Sequence, residues 1–211
     1  VFIGTFTGLD QAGKNVGPTD WYRICLARLD ISSARIVSKG FARASVEGVD
    51  HTPLPFFQNS PGLTRDKASI GYVSTCQGTK VGDPINPEYW DKLAAAAVIN
   101  DAINAYHGNR MEDSLDLYRA ALHMPGGQQL RVFNGLYLTQ RQLNRSKESA
   151  SAFGDLVDYG LGQKQISVKF LFQPGSTLFL NNAEIRRDYN MWLAQIANRS
   201  AKARACLQIA G

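Results

Sequence analysis

The chain has 211 residues, of which 44% are hydrophobic and 19% are charged, and its formal net charge is +5. This composition is typical of a globular protein and excludes the collagen-like and low-complexity classes. The longest apolar run, Leu93 to Ile99, has seven residues, whereas a membrane-spanning helix needs about 20. A spanning helix within this chain is therefore excluded.

The basic excess is concentrated between residues 166 and 211, where six Lys and Arg residues accompany two acidic ones. A nucleic-acid-binding surface would combine denser basic residues with interleaved aromatic side chains. We therefore expect the solvated faces of a helix and its flanking loops here, and no nucleic-acid partner.

Three cysteines, Cys25, Cys76 and Cys206, fit neither a zinc-binding pattern nor a CxxC redox site. Two interpretations stay open. Either Cys25 and Cys206 are small buried side chains in apolar strands, or Cys25 forms a disulfide with Cys76 in an oxidising compartment. The three histidines are far apart and lack ligand spacing, so no metal site is predicted.

Residues 1–85 are predicted to form a small α/β or β-rich domain. Residues 1–7 alternate and are rich in β-branched and aromatic side chains, which predicts a strand. Residues 21–31 and 35–44 are predicted to pair as a hairpin around a short turn. Residues 68–75 are predicted as a further short strand, or as the entry to the next domain.

A long connection follows the hairpin and contains three prolines, at positions 53, 55 and 61. Loops of this length are usually functional or mobile. Phe56 and Phe57 are therefore candidate partner contacts, and the alternative is that both rings fold back to cover the sheet.

The strand ending in Gly4-Thr5, the loop and the hairpin together resemble the sheet of the LpoB and curli-secretion (CsgG-type) lipoprotein group. The resemblance covers about 45 residues. In the hairpin it is carried by Leu26, Leu29, Asp30, Ile31, Arg35, Ile36 and Val37.

Four helices are predicted in a second domain, residues 86–161. Pro87 suits a first helical turn, whereas Gly108-Asn109 and Pro125-Gly126-Gly127 suit helix ends. The predicted helices are Glu88–His107, Met111–Met124, Leu130–Leu143 and Ser146–Tyr159.

The second pair of these helices repeats the first at an offset of 35 residues. The aligned residues are Asn109-Arg110 with Asn144-Arg145, Ser114 with Ser149, Tyr118 with Phe153, and Leu122 with Val157. The offset is close to the tetratricopeptide period of about 34 residues, and the region resembles two tetratricopeptide-type helix pairs. The resemblance implies a protein partner, and the alternative is a plain helical spacer.

Residues 165–211 are predicted to form a third, truncated domain. Residues 166–172 form a predicted strand, Gln173–Ser176 a turn, and residues 203–209 a second strand. Between them lies a predicted helix over residues 183–198, with a capping box from Asn181 and Glu184. These elements together predict a βαβ unit, for which a right-handed crossover is expected. Because two strands do not make a stable sheet alone, we expect the chain to be a piece of a longer protein.

This third segment resembles the opening of an OmpA C-terminal-like domain, a periplasmic module that binds peptidoglycan. The matching residues are Val168, Phe170, Phe172, Ser176, Leu193, Ile196, Ala197, Leu207, Ile209 and Gly211. The resemblance implies that Phe172, Gln173, Ser176 and Thr177 form part of a pocket wall. The family's Asp and Arg that bind diaminopimelate would lie beyond Gly211.

No GxSxG, HExxH, Walker or GxGxxG motif is present, so neither an enzyme nor a cofactor is predicted. The fold prediction is α+β, with a small sheet, central helical repeats and a C-terminal βαβ opening. The leading hypothesis is a non-enzymatic envelope scaffold, periplasmic or outer-membrane associated in a Gram-negative bacterium, with peptidoglycan and other envelope proteins as partners.

Two alternatives stay open. In the first, the chain is a structural subunit of a homo- or hetero-oligomeric outer-membrane ring, in a secretion apparatus or flagellum, and does not bind peptidoglycan. In the second, an enzyme site lies in the loops of residues 46–85, where Asp66 and Asp83 would be required for turnover.

Overall fold

The structure is a computed structural model that describes residues 1–9, 19–50, 52–62, 66–180 and 183–208, with the backbone alone for 183–187. The strands are β1 (Phe2–Leu9), β2 (Trp21–Asp30) and β3 (Arg35–Ser45). The helices are α1 (Pro55–Asn59), α2 (Lys67–Gln77), α3 (Pro87–Trp90), α4 (Leu93–His107), α5 (Met111–His123), α6 (Leu130–Gln142), α7 (Ser146–Gly162) and α8 (Ala183–Lys202). The fold is of the mixed α+β class, as the sequence predicts.

The chain divides into two compact units. The first, here called the sheet unit, contains residues 1–52 and 65–93. The second, here called the helical unit, contains residues 53–64 and 94–211. The sequence-based division into residues 1–85, 86–161 and 165–211 stays a prediction.

The sheet unit contains a three-stranded antiparallel sheet in the order β1-β2-β3. The predicted first strand and hairpin are confirmed, and Ala34 takes a left-handed conformation in the turn. Alternation decides which residues are buried, because successive side chains of a strand point to opposite faces. The buried face packs against α2 and α3 through a cluster of Ile3, Cys25, Ala27, Leu29, Ile36, Cys76, Ile85 and Tyr89.

The predicted strand over residues 68–75 is wrong, because this segment forms helix α2. The Asp66 side chain caps the helix by accepting a hydrogen bond from the Ser69 backbone N–H at 2.9 Å. The buried side consists of small residues, and a Cβ on Gly71 would lie 2.9 Å from the Tyr89 backbone nitrogen. Close packing of this small-residue face outweighs the local preference of the β-branched residues for a strand.

A disulfide joins Cys25 of β2 to Cys76 of α2. The sequence left this pairing open. The bond closes a loop over a sequence separation of 51 residues and fixes the helix onto the central strand.

The predicted helices correspond to α4, α5, α6 and α7, with one difference. The first predicted helix is divided, since α3 ends at Trp90 and α4 begins at Leu93. At the division the Lys92 N–H donates to the Tyr89 carbonyl, which is only three residues back. This bond forms a 3-10 turn, which is tighter than the α-helix and is common at helix ends.

Two turns that lie 35 residues apart have the same backbone conformation. Asn109 and Asn144 have φ values of +58° and +57°. After α4 the Arg110 N–H bonds the Ala105 carbonyl, and after α6 the Arg145 N–H bonds the Gln140 carbonyl, both at 2.9 Å. These six-to-one bonds around a left-handed residue define the Schellman motif. Both helix pairs therefore turn in the same way.

The predicted strands of the third domain are not formed in the part of the chain that the structure describes. Val168 and Phe172 make only isolated antiparallel bridges, to Gly62 and Phe179. Val168 thus pairs with a segment distant in sequence and Phe172 with its own hairpin, and no parallel strand pairs with either in the described part of the chain.

The segment after α8 differs from its prediction as well. The helix continues to Lys202, and Arg204, with a φ of +51°, ends it in another Schellman turn. Residues 205–208 then follow without a strand. Ile209 and Gly211, together with the predicted capping pair of Asn181 and Glu184, lie outside the described backbone or side chains.

Candidate functional site

Phe56 lies at the centre of the helical unit. Pro55 begins α1 and Phe56 follows it with 0% of its surface exposed. Its ring stacks on Tyr118 with the centroids 6.1 Å apart and meets the edge of Tyr106 at 6.0 Å. The expectation that Phe56 is exposed is wrong, and so is the alternative that it covers the sheet. Burial of an aromatic ring in a prepared pocket is more favourable than exposure.

A small residue makes room for this aromatic cluster. A Cβ on Gly135 of α6 would lie 2.2 Å from the Tyr118 ring. The glycine therefore lets the tyrosine lie directly on the helix backbone, and Phe56 lies on the tyrosine. Phe57 behaves differently, since it is 41% exposed and touches the edge of Phe56 at 5.1 Å. A partner contact at Phe57 stays a prediction.

Asn134 binds the backbone of the segment that carries Phe56. Its amide Nδ2 donates to the Gly62 carbonyl, and its Oδ1 accepts from the Gly62 N–H, both at 3.2 Å. Asn134 is fully buried on α6. The two bonds imitate the way in which a neighbouring strand would pair with Gly62.

Residues 53–62 are thus held like a bound peptide, with Phe56 as the aromatic anchor and Gly62 as the backbone contact. Two further bonds fix the segment: Asn59 Nδ2 donates to Tyr106 Oη at 3.3 Å, and the Lys169 N–H donates to the Pro61 carbonyl at 2.8 Å. Sequence reasoning missed Asn134. The signal was an asparagine at helical spacing between Leu130 and Leu138, in an otherwise apolar stripe.

The Tyr118 hydroxyl is buried without a hydrogen bond to any residue described. Burial raises the pKa of this hydroxyl above its ordinary value, and the neighbouring Tyr106 raises it further. Tyr137 also has a raised pKa because of burial, but its Oη accepts a hydrogen bond from Trp192 Nε1 at 3.0 Å. Both groups therefore stay neutral at physiological pH.

The four predicted pocket-wall residues lie together on one tight hairpin, residues 171–180. The Gln173 N–H donates to the Leu178 carbonyl at 2.8 Å, and the Leu180 N–H donates to the Leu171 carbonyl at 3.0 Å. The predicted turn is therefore confirmed, with Gly175 at a φ of +67°. The structure brings Phe172, Gln173, Ser176 and Thr177 into one loop, and their role as a pocket wall stays a prediction.

Two of these side chains are used within the loop. Gln173 Nε2 donates to the Phe179 carbonyl at 3.2 Å, and Ser176 Oγ accepts from the Leu178 N–H at 3.0 Å. Phe172 is 48% exposed, with its ring 5.1 Å from that of Phe179. Gln173 and Ser176 thus hold the loop together, and Phe172 is an exposed aromatic ring beside them.

Aromatic side chains anchor the hairpin to α8 and then to the deeper helices. Tyr189 Oη accepts from the Leu171 N–H at 2.8 Å. Trp192 stacks on Phe153 of α7 with the centroids 5.4 Å apart. The sequence predicts the helix that carries Tyr189 and Trp192 but not the partners of these two side chains. The hairpin therefore rests on a rigid aromatic base.

Arginines of the helical unit pair with carboxylates of neighbouring helices. Arg141 of α6 lies 2.7 Å from Asp188 of α8, and both side chains are largely buried. Arg199 of α8 pairs with Asp158 of α7 and lies near Asp155. Burial raises the pKa of Asp155, and Arg199 opposes that rise. Part of the basic excess in residues 166–211 therefore has a structural role.

The two acidic residues of the enzyme alternative have local bonds in the sheet unit. Asp66 caps α2, and the carboxylate of Asp83 accepts from the Lys80 N–H at 2.7 Å. Among the residues with described side chains, no three His, Cys, Asp or Glu are grouped as a metal site would need. None of the described helices combines the length and apolar composition needed to cross a membrane.

Comparisons with family models, with curated proteins and with solved structures found no match to this chain.

Proposed function

We propose that this protein is a non-enzymatic scaffold of a Gram-negative cell envelope, in the periplasm or at the outer membrane, that holds a protein assembly against peptidoglycan. The observation that carries the proposal is the disulfide between Cys25 and Cys76. Disulfides form and persist in oxidising compartments and are rare in the cytosol. The bond therefore favours an envelope location.

The helical unit provides the protein-binding part of this scaffold. The 35-residue offset between its two helix pairs supports the tetratricopeptide-type interpretation. The Schellman turns at Asn109 and Asn144 agree with it, although the same motif also ends α7 and α8. Helix pairs of that type stack into surfaces that bind other proteins. Phe57, exposed at the edge of the aromatic cluster, is the proposed contact residue.

The hairpin of residues 171–180 provides the proposed contact to peptidoglycan. Its support is the shared loop of Phe172, Gln173, Ser176 and Thr177, fixed on α8 by the Tyr189 hydroxyl. A protein that holds the wall at one surface and a partner at another raises the partner's effective concentration at the wall.

Cosedimentation with purified peptidoglycan sacculi tests this proposal. The whole protein is compared with its variants Phe172→Ala and Leu171→Ala. Leu171 is the matched control, because it is an exposed apolar residue of the same hairpin, 41% exposed, but outside the proposed pocket wall.

We expect the whole protein and Leu171→Ala to sediment with sacculi, and Phe172→Ala to sediment several-fold less. Equal sedimentation of the two variants would remove the hairpin from the wall contact. No sedimentation of the whole protein would contradict peptidoglycan binding and favour the second candidate function.

The second candidate is a structural subunit of an outer-membrane ring that does not bind the wall. It is favoured by one observation: residues 166–172 and 203–208 do not form the paired strands of the family to which the wall-binding resemblance points. Crosslinking in intact cells distinguishes the two functions, since a ring subunit gives a ladder of oligomers of this chain or of one constant neighbour.

A further inference from the structure

Strand β3 lies at one edge of the sheet, and part of that edge has no hydrogen-bond partner among the described residues. The Leu29 N–H bonds the Val1 carbonyl, so alternate residues of β2 direct their backbone groups toward β1. The intervening residues of β2 pair with Gly40, Ala42 and Ala44. The backbone N–H and C=O groups of Lys39, Phe41 and Arg43 consequently point away from the sheet.

Two other positions on the edges of this sheet have hydrogen-bond partners within the unit. At β1 the Tyr72 hydroxyl donates to the Gly4 carbonyl and accepts from the Gly4 N–H at 3.1 Å. At the start of β3 the Ile36 N–H donates to the Asp83 carbonyl at 3.0 Å, and the Ile36 carbonyl accepts from Gly82 at 2.8 Å. The free edge therefore begins after Ile36 and runs through residues 39–45.

The side chains beside this free edge are cationic and aromatic. Arg23 and Arg43 lie directly opposite each other on β2 and β3, an arrangement of like charges that is unfavourable across strands. Phe41 is 55% exposed between Arg23, at 5.9 Å from its ring centroid, and Lys39, at 5.0 Å. Lys39 also donates to Thr79 Oγ1 at 3.1 Å.

Asp83 interacts electrostatically with Lys39, but Arg23 and Arg43 form no ion pair in the described part of the chain. All ion pairs found there lie in the helical unit, between residues 110 and 199. Arg23 and Arg43 thus form a positive patch whose mutual repulsion an added acidic side chain would relieve. The opposite face of the same strand is apolar and small, with Gly40, Ala42 and Ala44.

We propose that the free edge of β3, residues 39–45, binds an extended segment of another protein that alternates acidic and apolar side chains and adds to the sheet as a fourth, antiparallel strand. Main-chain hydrogen bonds to Lys39, Phe41 and Arg43 supply the attachment. Acidic side chains on one face meet Arg23, Arg43 and the Phe41 ring. Apolar side chains on the other face continue the surface of Ala42 and Ala44.

Binding of labelled synthetic peptides, measured by fluorescence anisotropy at low and at physiological salt, tests the proposal. The probe is a nine-residue peptide of alternating Val and Glu. The controls are the same peptide with Lys in place of Glu, a peptide of identical composition with Val and Glu in separate blocks, and a single-stranded oligo(dT) of equal charge.

Two peptide variants examine the backbone pairing directly. In an antiparallel addition, the residues that exchange bonds with Lys39, Phe41 and Arg43 carry side chains on the same face, which are the Glu residues. N-methylation of the Glu amides should therefore abolish binding, whereas N-methylation of the Val amides should leave it within about twofold.

The protein variants are Arg23→Glu with Arg43→Glu, and a matched control with Lys147→Glu and Lys202→Glu. The control changes the net charge equally but at exposed sites of the helical unit. We expect the first double variant to weaken binding of the Val–Glu peptide by about tenfold or more, and the control to change it by less than about twofold. Amide exchange in β1 and β2 that matches the unchanged protein reports that the sheet unit of each variant is folded.

Amide exchange gives an independent result. Bound peptide should slow exchange at Lys39, Phe41 and Arg43, while Gly40 and Ala42 are protected beforehand by β2. Equal binding of the blocked peptide, insensitivity to both N-methylations, or tighter binding of oligo(dT) lost in the Arg23→Glu and Arg43→Glu variant would each overturn the proposal. The last result would assign the patch to nucleic acid instead.

Discussion

The sheet unit and the helical unit achieve stability through different interactions. In the sheet unit one face of three strands packs on α2 and α3, and a disulfide joins the central strand to α2. In the helical unit a larger aromatic cluster is enclosed by α4 to α8, and arginines pair with carboxylates on neighbouring helices. A small one-sided core gains most from a covalent bond, whereas a larger core does not need one.

The difference also concerns which surfaces are left exposed. The helical unit covers its aromatic cluster with its own residues 53–62, anchored by Phe56 and Asn134. The sheet unit leaves the edge of β3 and the outer face of the sheet uncovered, with Phe2, Phe6 and Leu26 largely exposed. We infer that the sheet unit gains more from a partner than the helical unit does.

The largest expected effect is the loss of the Phe56 ring. The Phe56→Ala variant should destabilise the helical unit by about 4 kcal/mol, because it leaves a cavity beside Tyr106 and Tyr118. Urea denaturation measures the change when it is followed by the fluorescence of Trp192 in a background with Trp21→Phe and Trp90→Phe. The matched control is Phe57→Ala, at a half-exposed position, which should cost less than about 1 kcal/mol. Equal costs at the two positions would contradict the buried anchor.

Loss of the disulfide should affect the sheet unit alone. The double variant Cys25→Ser with Cys76→Ser should lower the stability of the sheet unit by about 3 kcal/mol, since the bond restricts a long loop of the unfolded chain. Amide hydrogen exchange resolves the two units. Exchange should become faster in β1 to β3 and stay unchanged in α5 to α7. A uniform increase would show that the two units unfold together.

Two buried tyrosines of the helical unit differ in whether the hydroxyl has a hydrogen-bond partner among the described residues. Tyr118→Phe should be neutral or stabilise by about 1 kcal/mol, since it removes a buried hydroxyl without a partner among the described residues. Tyr137→Phe should destabilise by about 1 kcal/mol, because Trp192 Nε1 loses its acceptor. Thermal unfolding of both variants checks the opposite signs.

The smallest expected effect concerns the carboxylate of Asp30 in the sheet unit. Hydrogen bonds from Ser33 and Ser32 lower the pKa of Asp30 from 3.8 to about 2, without a cation. The lowered pKa means that this contribution to stability is present above pH 3.8 and is lost as the pH falls toward 2. NMR titration should find the pKa of Asp30 raised in Ser33→Ala and insensitive to salt. A strong salt dependence would imply an ion pair instead.

Local sequence patterns predicted the elements whose burial follows a simple period. Alternation of polar and apolar residues predicted β1, β2 and β3. Apolar residues at helical spacing, with Gly and Asn at the helix ends, predicted α4 to α7. These patterns succeed because one face of each element is buried and its local turn chemistry agrees.

The predictions that failed share one cause. The structure of these segments depends on contacts with residues that are distant in the sequence. Helix α2 has small residues on its buried side, which carry little periodic signal, and only the contact of Gly71 with the Tyr89 backbone explains them. Phe56 is buried because Gly135, far along the chain, makes room for Tyr118. The strands expected at 166–172 and 203–209 need partner strands, which no local pattern supplies.

The most direct test of the envelope assignment is the thiol state of the protein in the cells that make it. Cells are lysed in N-ethylmaleimide, and the labelled peptides are counted by mass spectrometry. We expect one label, on the exposed Cys206, with Cys25 and Cys76 joined and labelled only after reduction. Labels on all three cysteines without reductant would contradict the disulfide, and with it the oxidising compartment on which the proposed function rests.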